Sequence, residues 1–141
     1  MDVAGLLKEG QTVQFHPSGN SMFPLFSDAS DYAIVKPVSG ELKKLDVAVY
    51  RNTDGILVIH RIARVRREGL YFAGDRQTVL EGPLSPDRVY GVMTHYIKKG
   101  KKHSVRSPLY ILYSVAWLML RPLRQHIFDI AHFLFRRNKT R

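Results

Sequence analysis

The sequence predicts a mostly-β domain of several short antiparallel strands, followed by a basic C-terminal helical tail. Three observations support this fold class: apolar and β-branched runs separated by turn residues, a change in charge near residue 98, and helical spacing of apolar residues beyond it. The chain has 141 residues and is 45% hydrophobic, which suffices for one domain with its own core. It has no cysteine, so disulfides and thiolate zinc sites are excluded.

The apolar runs before residue 98 are predicted strands. They are separated by turn sequences such as "SGN", "SGE", "REG" and "EGPLSPD". In "RNTDGI", Asp54 and Gly55 supply the positive φ angles of a tight hairpin turn. The predicted strands are residues 12–15, 32–35, 46–50, 56–65, 70–73 and 89–96.

The positive charge is confined to the end of the chain. Residues 1–97 carry 11 Lys and Arg against 11 Asp and Glu, whereas residues 98–141 carry 11 against one acid, Asp129. The net charge of +10 therefore belongs to residues 98–141, and we place the boundary between a β domain (1–97) and a tail (98–141) there. A basic tail favours an anionic partner.

Two helices are predicted in the tail. Residues 107–120 are uncharged, but as a helix these 14 residues would span roughly 21 Å, less than a hydrocarbon core of about 30 Å. Beyond Pro122, polar and apolar residues form separate stripes, typical of an amphipathic helix. Tyr110, Tyr113 and Trp117 follow one another at spacings that suit a membrane interface. We expect the tail to associate with the anionic surface of the cytoplasmic membrane, either peripherally or as a single-pass segment. We expect no specific nucleic-acid partner. The alternative is that both helices pack on the β domain.

Ser21 is the candidate nucleophile. It lies in "HPSGNSMFPLF", where apolar side chains immediately flank its hydroxyl. A serine needs a base within hydrogen-bond distance, and His60 lies in "GILVIHRIARV", the longest apolar run of the domain. Strand alternation places His60 on the face of Val58 and Ile62, and Arg61 on the opposite face.

Five segments together resemble the signal peptidase I and SOS-repressor peptidase superfamily. They are "GNSMFP", "DVAVY", "VIHRI", "FAGD" and "VYGVM", in the family's order and spacing over residues 12–96. His60 stands where the best-known bacterial enzymes have lysine, so the chain is similar to the Ser/His branch of the endoplasmic reticulum and archaea. The resemblance implies a serine endopeptidase that cleaves leader or precursor peptides after small residues such as Ala or Gly. It implies Ser21 as nucleophile, His60 as general base and the Ser21 backbone N–H as oxyanion donor.

The resemblance also assigns the turn around the nucleophile. Gly19 and Pro24 shape this turn, while Met22 and Phe23 form an apolar floor, so these four residues are the predicted substrate-binding residues. The hydroxyl that some relatives carry two residues before the nucleophile is replaced here by Gly19, with Ser18 one position away.

The third catalytic residue is left open. Asp75 of the "AGD" turn is the first choice for orienting His60, although it could instead pair with Arg61. Glu81 and Asp87 are alternatives, and a Ser/His dyad without a third member is another.

Two other functions remain as alternatives. Self-cleavage, as in SOS repressors, has a possible site at Ala4-Gly5. A catalytically inactive module could instead bind peptides, or nucleic acid through its tail. No cofactor or metal is expected, because His126, Asp129 and His132 fall on the polar stripe of a helix at spacings that favour solvated side chains.

Overall fold

The computed structural model describes residues 1–139, except for the side chains of residues 124, 125, 128 and 139. The last two residues of the predicted tail, 140 and 141, lie outside the described residues. The mostly-β class with a helical C-terminal segment is confirmed.

The described chain forms one antiparallel sheet of eight strands. Its main path runs in the order β1-β2-β7-β3-β4-β5-β6, and β8 pairs with the end of β7. The strands are β1 (Val13–Phe15), β2 (Tyr32–Pro37), β3 (Val47–Arg51), β4 (Leu57–Arg66), β5 (Gly69–Ala73), β6 (Glu81–Leu84), β7 (Val89–Lys98) and β8 (Lys101–Ser104). The helices are α1 (Val3–Lys8), α2 (Pro108–Met119) and α3 (Arg124–Lys139), with short 3-10 turns at Pro86–Arg88 and Arg121–Leu123.

The sheet carries an apolar cluster on each face. Val47, Val49 and Ile59 belong to one cluster, and Ala48, Tyr50 and Ile62 belong to the other. These residues alternate along β3 and β4, as side chains on successive strand positions must. The predicted separation of His60 and Arg61 onto opposite faces follows from the same alternation.

Three elements differ from the sequence-based prediction. α1 was not predicted, and β6 lies in the segment predicted as a turn because it contains Gly82 and Pro83. β8 lies within the basic run and pairs back onto β7 across a turn at Lys99 and Gly100. The sheet therefore extends to Ser104, beyond the predicted boundary at residue 98.

The hairpin between β3 and β4 is present, but its turn is longer than predicted. Asn52 closes it by donating to the Ile56 carbonyl, and its side chain accepts from the backbone N–H groups of Asp54 and Ile56. Within residues 52–56, Gly55 alone has a positive φ, of 77°. Asp54 is therefore not a left-handed residue here.

α2 is attached to the sheet by its polar side chains. Tyr110 and Ser114 are buried against the face that carries Arg61, whereas Leu109, Leu112 and Met119 are largely exposed. Within residues 1–139, no helix has both the length and the apolar character that crossing a bilayer requires.

Candidate active site

Ser21 lies in a tight turn that is anchored by its neighbours. Phe23 donates to the Asn20 carbonyl at 3.0 Å, and Phe26 donates to the Met22 carbonyl at 3.2 Å. The side chains of Met22, Leu25 and Phe26 are buried in the core. The apolar residues that follow Ser21 therefore fix the backbone from which its hydroxyl projects.

The segment after β5 packs directly against this turn. The backbone N–H of Arg76 donates to the Ser21 carbonyl at 2.9 Å. A Cβ atom at Gly74 would lie 2.3 Å from the same oxygen, closer than any side chain can approach. The "GNSMFP" and "FAGD" segments are thus in backbone contact, and the contact requires glycine at residue 74.

Lys98 supports the other side of the turn, a role that the sequence did not indicate. Its ammonium group donates to the Leu25 carbonyl at 2.8 Å, the Pro24 carbonyl at 3.1 Å and the Ser27 hydroxyl at 3.0 Å. It also lies 3.6 Å from a carboxylate oxygen of the buried Asp31. In the sequence, Lys98 is indistinguishable from the other lysines of the basic run.

His60 reaches Ser21 from β4. Its Nε2 atom lies 3.0 Å from the Ser21 Oγ atom, although the two residues are 39 positions apart. Burial lowers the pKa of His60 below its usual 6.5, and the negative charges of Glu81 and Asp75 oppose this decrease. The imidazole is therefore neutral at neutral pH, the form that can accept the serine proton.

The second ring nitrogen of His60 contacts a tyrosine. The Nδ1 atom lies 3.0 Å from the Tyr50 hydroxyl, which donates to the Glu81 Oε1 atom at 2.7 Å. Burial, together with the hydrogen bond to Glu81 and its charge, raises the pKa of Tyr50, so its hydroxyl stays protonated. The other Glu81 oxygen, Oε2, accepts from the Thr53 hydroxyl at 3.2 Å. Glu81, one of the alternatives for a third residue, thus reaches His60 through Tyr50.

Asp75, the first choice for that role, lies elsewhere. Its carboxylate accepts two hydrogen bonds from Arg61, at 2.8 and 2.9 Å, and one from the Tyr113 hydroxyl at 2.6 Å. The structure does not place it at the second ring nitrogen of His60, because that nitrogen faces Tyr50. Asp87, the other alternative, is exposed in the 3-10 turn before β7.

A cavity of about 210 Å³ opens beside the Ser21 hydroxyl. Its wall combines apolar side chains with polar groups, and Ser18 contributes a second hydroxyl. The lining residues are Val3, Phe15, His16, Pro17, Ser18, Ser21, Val49, Leu57, Val58 and Ile59. A second cavity, of about 450 Å³, is lined by His60, Asn52 and residues 76–81.

The predicted substrate-binding residues do not line either cavity. Met22 is buried beneath the turn, so it supports the turn from the core. Phe23 lies under the guanidinium group of Arg76, with 5.9 Å between the Arg76 Cζ atom and the ring centroid. Pro24 borders a separate groove against α2. Gly19 is exposed with a φ of 76°, a conformation that favours glycine.

Within residues 1–139, no group of three or more His, Cys, Asp or Glu side chains is arranged to hold a metal ion. Comparison of the chain with protein-family models, with curated proteins and with solved structures finds no match. The interpretation of the site therefore depends on its own geometry and on the resemblance of the five segments.

Proposed function

We propose that this protein is a serine endopeptidase similar to the Ser/His signal peptidases, with Ser21 as nucleophile and His60 as general base. The observation that carries the proposal is the 3.0 Å contact between the Ser21 Oγ atom and the His60 Nε2 atom. Both residues occupy the positions that the resemblance assigns to nucleophile and base. The lowered pKa of His60 supports a base that is ready at neutral pH.

The chemistry follows from the proton positions. The Ser21 oxygen attacks the carbonyl carbon of the scissile bond while the His60 Nε2 atom takes the hydroxyl proton. The resulting oxyanion is stabilised by the Ser21 backbone N–H, the donor that the resemblance implies. His60 then returns the proton to the leaving amine as the C–N bond breaks, which leaves an ester on Ser21. A water molecule, deprotonated by His60, hydrolyses this ester and releases the second product.

The sheet offers a place for an extended peptide. β4 pairs with β3 from Leu57 onward, whereas β5 pairs with β4 from Arg61 onward. The edge of residues 57–60 that faces away from β3 is therefore unpaired, and residues 57–59 line the cavity beside Ser21. A substrate added there as a strand would place its side chains in that cavity and its scissile bond near Ser21. Small residues such as Ala before the scissile bond are what the resemblance implies, and a cavity of about 210 Å³ has room for them.

The surface of α2 supports membrane association. Its hydroxyl-bearing residues Tyr110 and Ser114 face the protein, while Leu109, Leu112 and Met119 are 78%, 65% and 76% exposed. An exposed apolar surface on this scale indicates an apolar partner. The preceding β7–β8 hairpin carries the exposed lysines 99, 101 and 102. We infer an anionic lipid surface, because it offers both hydrocarbon and negative charge.

The aromatic residues predicted for the membrane interface have other partners. The Arg61 guanidinium group donates to the Tyr110 hydroxyl and lies over the Tyr110 ring, and Tyr113 donates a hydrogen bond to Asp75. The indole N–H of Trp117 donates to the Asp75 carbonyl. The proposed lipid contact therefore depends on the aliphatic residues of α2.

The test of the peptidase is cleavage of a peptide with Ala at both small-residue positions before the scissile bond. Ser21→Ala and His60→Ala should each abolish cleavage while circular dichroism stays unchanged. A serine-directed phosphonate probe should label the wild type but not Ser21→Ala. Ser39→Ala, which changes an exposed serine, is the matched control and should behave as the wild type. Cleavage by purified Ser21→Ala at the wild-type rate would exclude the proposed mechanism.

A further inference from the structure

We propose that Tyr50, held by Glu81, is a positioning residue that fixes which nitrogen of His60 carries the proton. The inference deepens the proposed function and rests on it, because it explains how His60 is kept ready to accept the Ser21 proton. Neither Tyr50 nor a tyrosine-mediated carboxylate is implied by the resemblance or by the sequence pattern.

The direction of the hydrogen bonds carries the argument. The Tyr50 hydroxyl has one proton, and its 2.7 Å bond to the Glu81 carboxylate uses that proton, because a carboxylate only accepts. The Tyr50 oxygen can then offer only a lone pair to the His60 Nδ1 atom, 3.0 Å away. Nδ1 must carry the proton, so the Nε2 atom presents its lone pair to Ser21. Glu81 thus selects, through Tyr50, the tautomer of His60 that can accept the Ser21 proton.

The Tyr50 ring is fixed well enough for this role. It is fully buried and stacks on Phe72, with 3.8 Å between the ring centroids. His60 is paired with Ala48 in the sheet, so Tyr50 is its diagonal neighbour on the same face. The ring cannot leave His60 without disturbing the apolar cluster on this face.

Glu81 is fixed by a different part of the chain. β6 pairs with β5, which places Glu81 opposite Phe72. The β3–β4 turn supplies the Thr53 hydroxyl, which donates to the carboxylate oxygen that Tyr50 leaves available. β5, β6 and the β3–β4 turn therefore hold the Glu81 carboxylate at hydrogen-bond distance from the Tyr50 hydroxyl.

The other charged groups near the imidazole do not replace Glu81. Asp75 is paired with the neighbouring strand residue Arg61 on the opposite face of the sheet. Arg76 lines the same cavity as His60 and Glu81, and its guanidinium group lies over the Phe23 ring. When His60 takes the serine proton, its Nδ1–H can donate to a Tyr50 oxygen that Glu81 has made more negative.

The experiment measures both the tautomer and the rate. Nitrogen NMR of histidine-labelled protein should show the His60 Nδ1–H tautomer in the wild type, and a mixture of tautomers in Tyr50→Phe. Glu81→Gln should remove a negative charge and so move the acid limb of the rate profile to lower pH. Both variants should lower kcat by about 10- to 100-fold with little change in KM.

The matched controls are Tyr71→Phe and Glu68→Gln. Tyr71 of β5 donates to Glu68 of the β4–β5 turn at 2.9 Å, which gives a second Tyr–Glu pair whose hydrogen bond does not involve Ser21, Tyr50 or His60. These variants should leave the His60 tautomer and the rate profile unchanged.

A wild-type protein with the Nε2–H tautomer at neutral pH would overturn the inference. The inference would also be overturned if the wild type is active and Glu81→Gln changes neither kcat nor the acid limb of the rate profile. Glu81 is half-buried, so this variant is expected to fold. The tautomer measurement needs no activity. If peptide cleavage fails in the wild type, the proposed function fails, and the NMR result still decides the role of Tyr50.

Discussion

Replacing Asp75 by Asn should destabilise the protein without acting on the catalytic step directly. Arg61 and Asp75 are 1% and 2% exposed, and the closest contact between their charged groups is 2.8 Å. The Arg61 guanidinium also donates to the Leu45 carbonyl and to the hydroxyls of Tyr110 and Ser114. Loss of the Asp75 charge would leave this cation buried without a counter-ion.

The size of the effect follows from the distance and the burial. At 2.8 Å and an effective dielectric constant of about 20, the attraction is about 6 kcal/mol. Part of it offsets the cost of removing both charges from water, and removal of one partner of a buried pair typically costs about 3–5 kcal/mol. This loss is a large fraction of the roughly 5–15 kcal/mol by which a domain is stable.

Urea unfolding, followed by tryptophan fluorescence, measures the change. The chain has one tryptophan, Trp117, and its indole donates to the Asp75 carbonyl, so its emission reports on this contact. With a slope of about 2 kcal/mol per molar urea, the midpoint should fall by about 1.5–2.5 M. The exposed Asp54→Asn is the control and should shift the free energy of unfolding by less than about 0.5 kcal/mol.

A double variant tests whether the loss comes from the unpaired charge. Arg61→Met combined with Asp75→Leu removes both charges and should recover most of the stability lost in Asp75→Asn. The structural role of Asp75 would be refuted if Asp75→Asn unfolded at the wild-type urea concentration and had lost all cleavage, since that result would return Asp75 to the catalytic machinery.

Two further changes test the nucleophile turn and the proposed membrane surface. Gly74→Ala places a methyl group against the Ser21 carbonyl oxygen and should displace the turn that carries Ser21. We expect at least a tenfold slower reaction of Ser21 with a serine-directed probe, and an unchanged rate would show that the turn tolerates this displacement. Leu112→Glu should reduce sedimentation with liposomes that contain anionic lipid, because it puts a charge on the exposed face of α2. The control is Ile56→Glu, at a similarly exposed residue of the β3–β4 turn, which should not reduce sedimentation. Equal binding by both variants would exclude α2 as the lipid contact.

The strands could be predicted because their signals are local, whereas the pairing of Ser21 with His60, 39 positions apart, was an expectation of the resemblance. Alternation along β4 fixes the face of His60, and the apolar residues after Ser21 identify a buried turn. β6 was not predicted, because Gly82 and Pro83 resemble a turn; as an edge strand it tolerates a proline that an inner strand would exclude.

The groups that surround the Ser21–His60 pair could not be predicted in the same way. Tyr50 and Glu81 are 31 residues apart, and the pairing of β5 with β6 brings them together. In the sequence, Lys98 cannot be distinguished from the other lysines of the basic run. Its position at the end of β7 places it against the turn that carries Ser21. Nothing in the sequence indicates that the hydroxyls of Tyr110 and Ser114 are buried, because their partner Arg61 belongs to a strand that is distant along the chain.

The adjacency of His60 and Arg61 on β4 makes this strand intolerant of length changes. His60 faces Ser21 and Tyr50, while Arg61, the next residue, holds α2 through the opposite face. Deleting or inserting one residue between Leu57 and His60 would exchange the two faces, because strand side chains alternate. The cation would then point at the nucleophile and the imidazole at the helix. Homologues of this chain should therefore vary in the length of the β3–β4 turn, at residues 52–56, and keep the length of β4 up to Arg61.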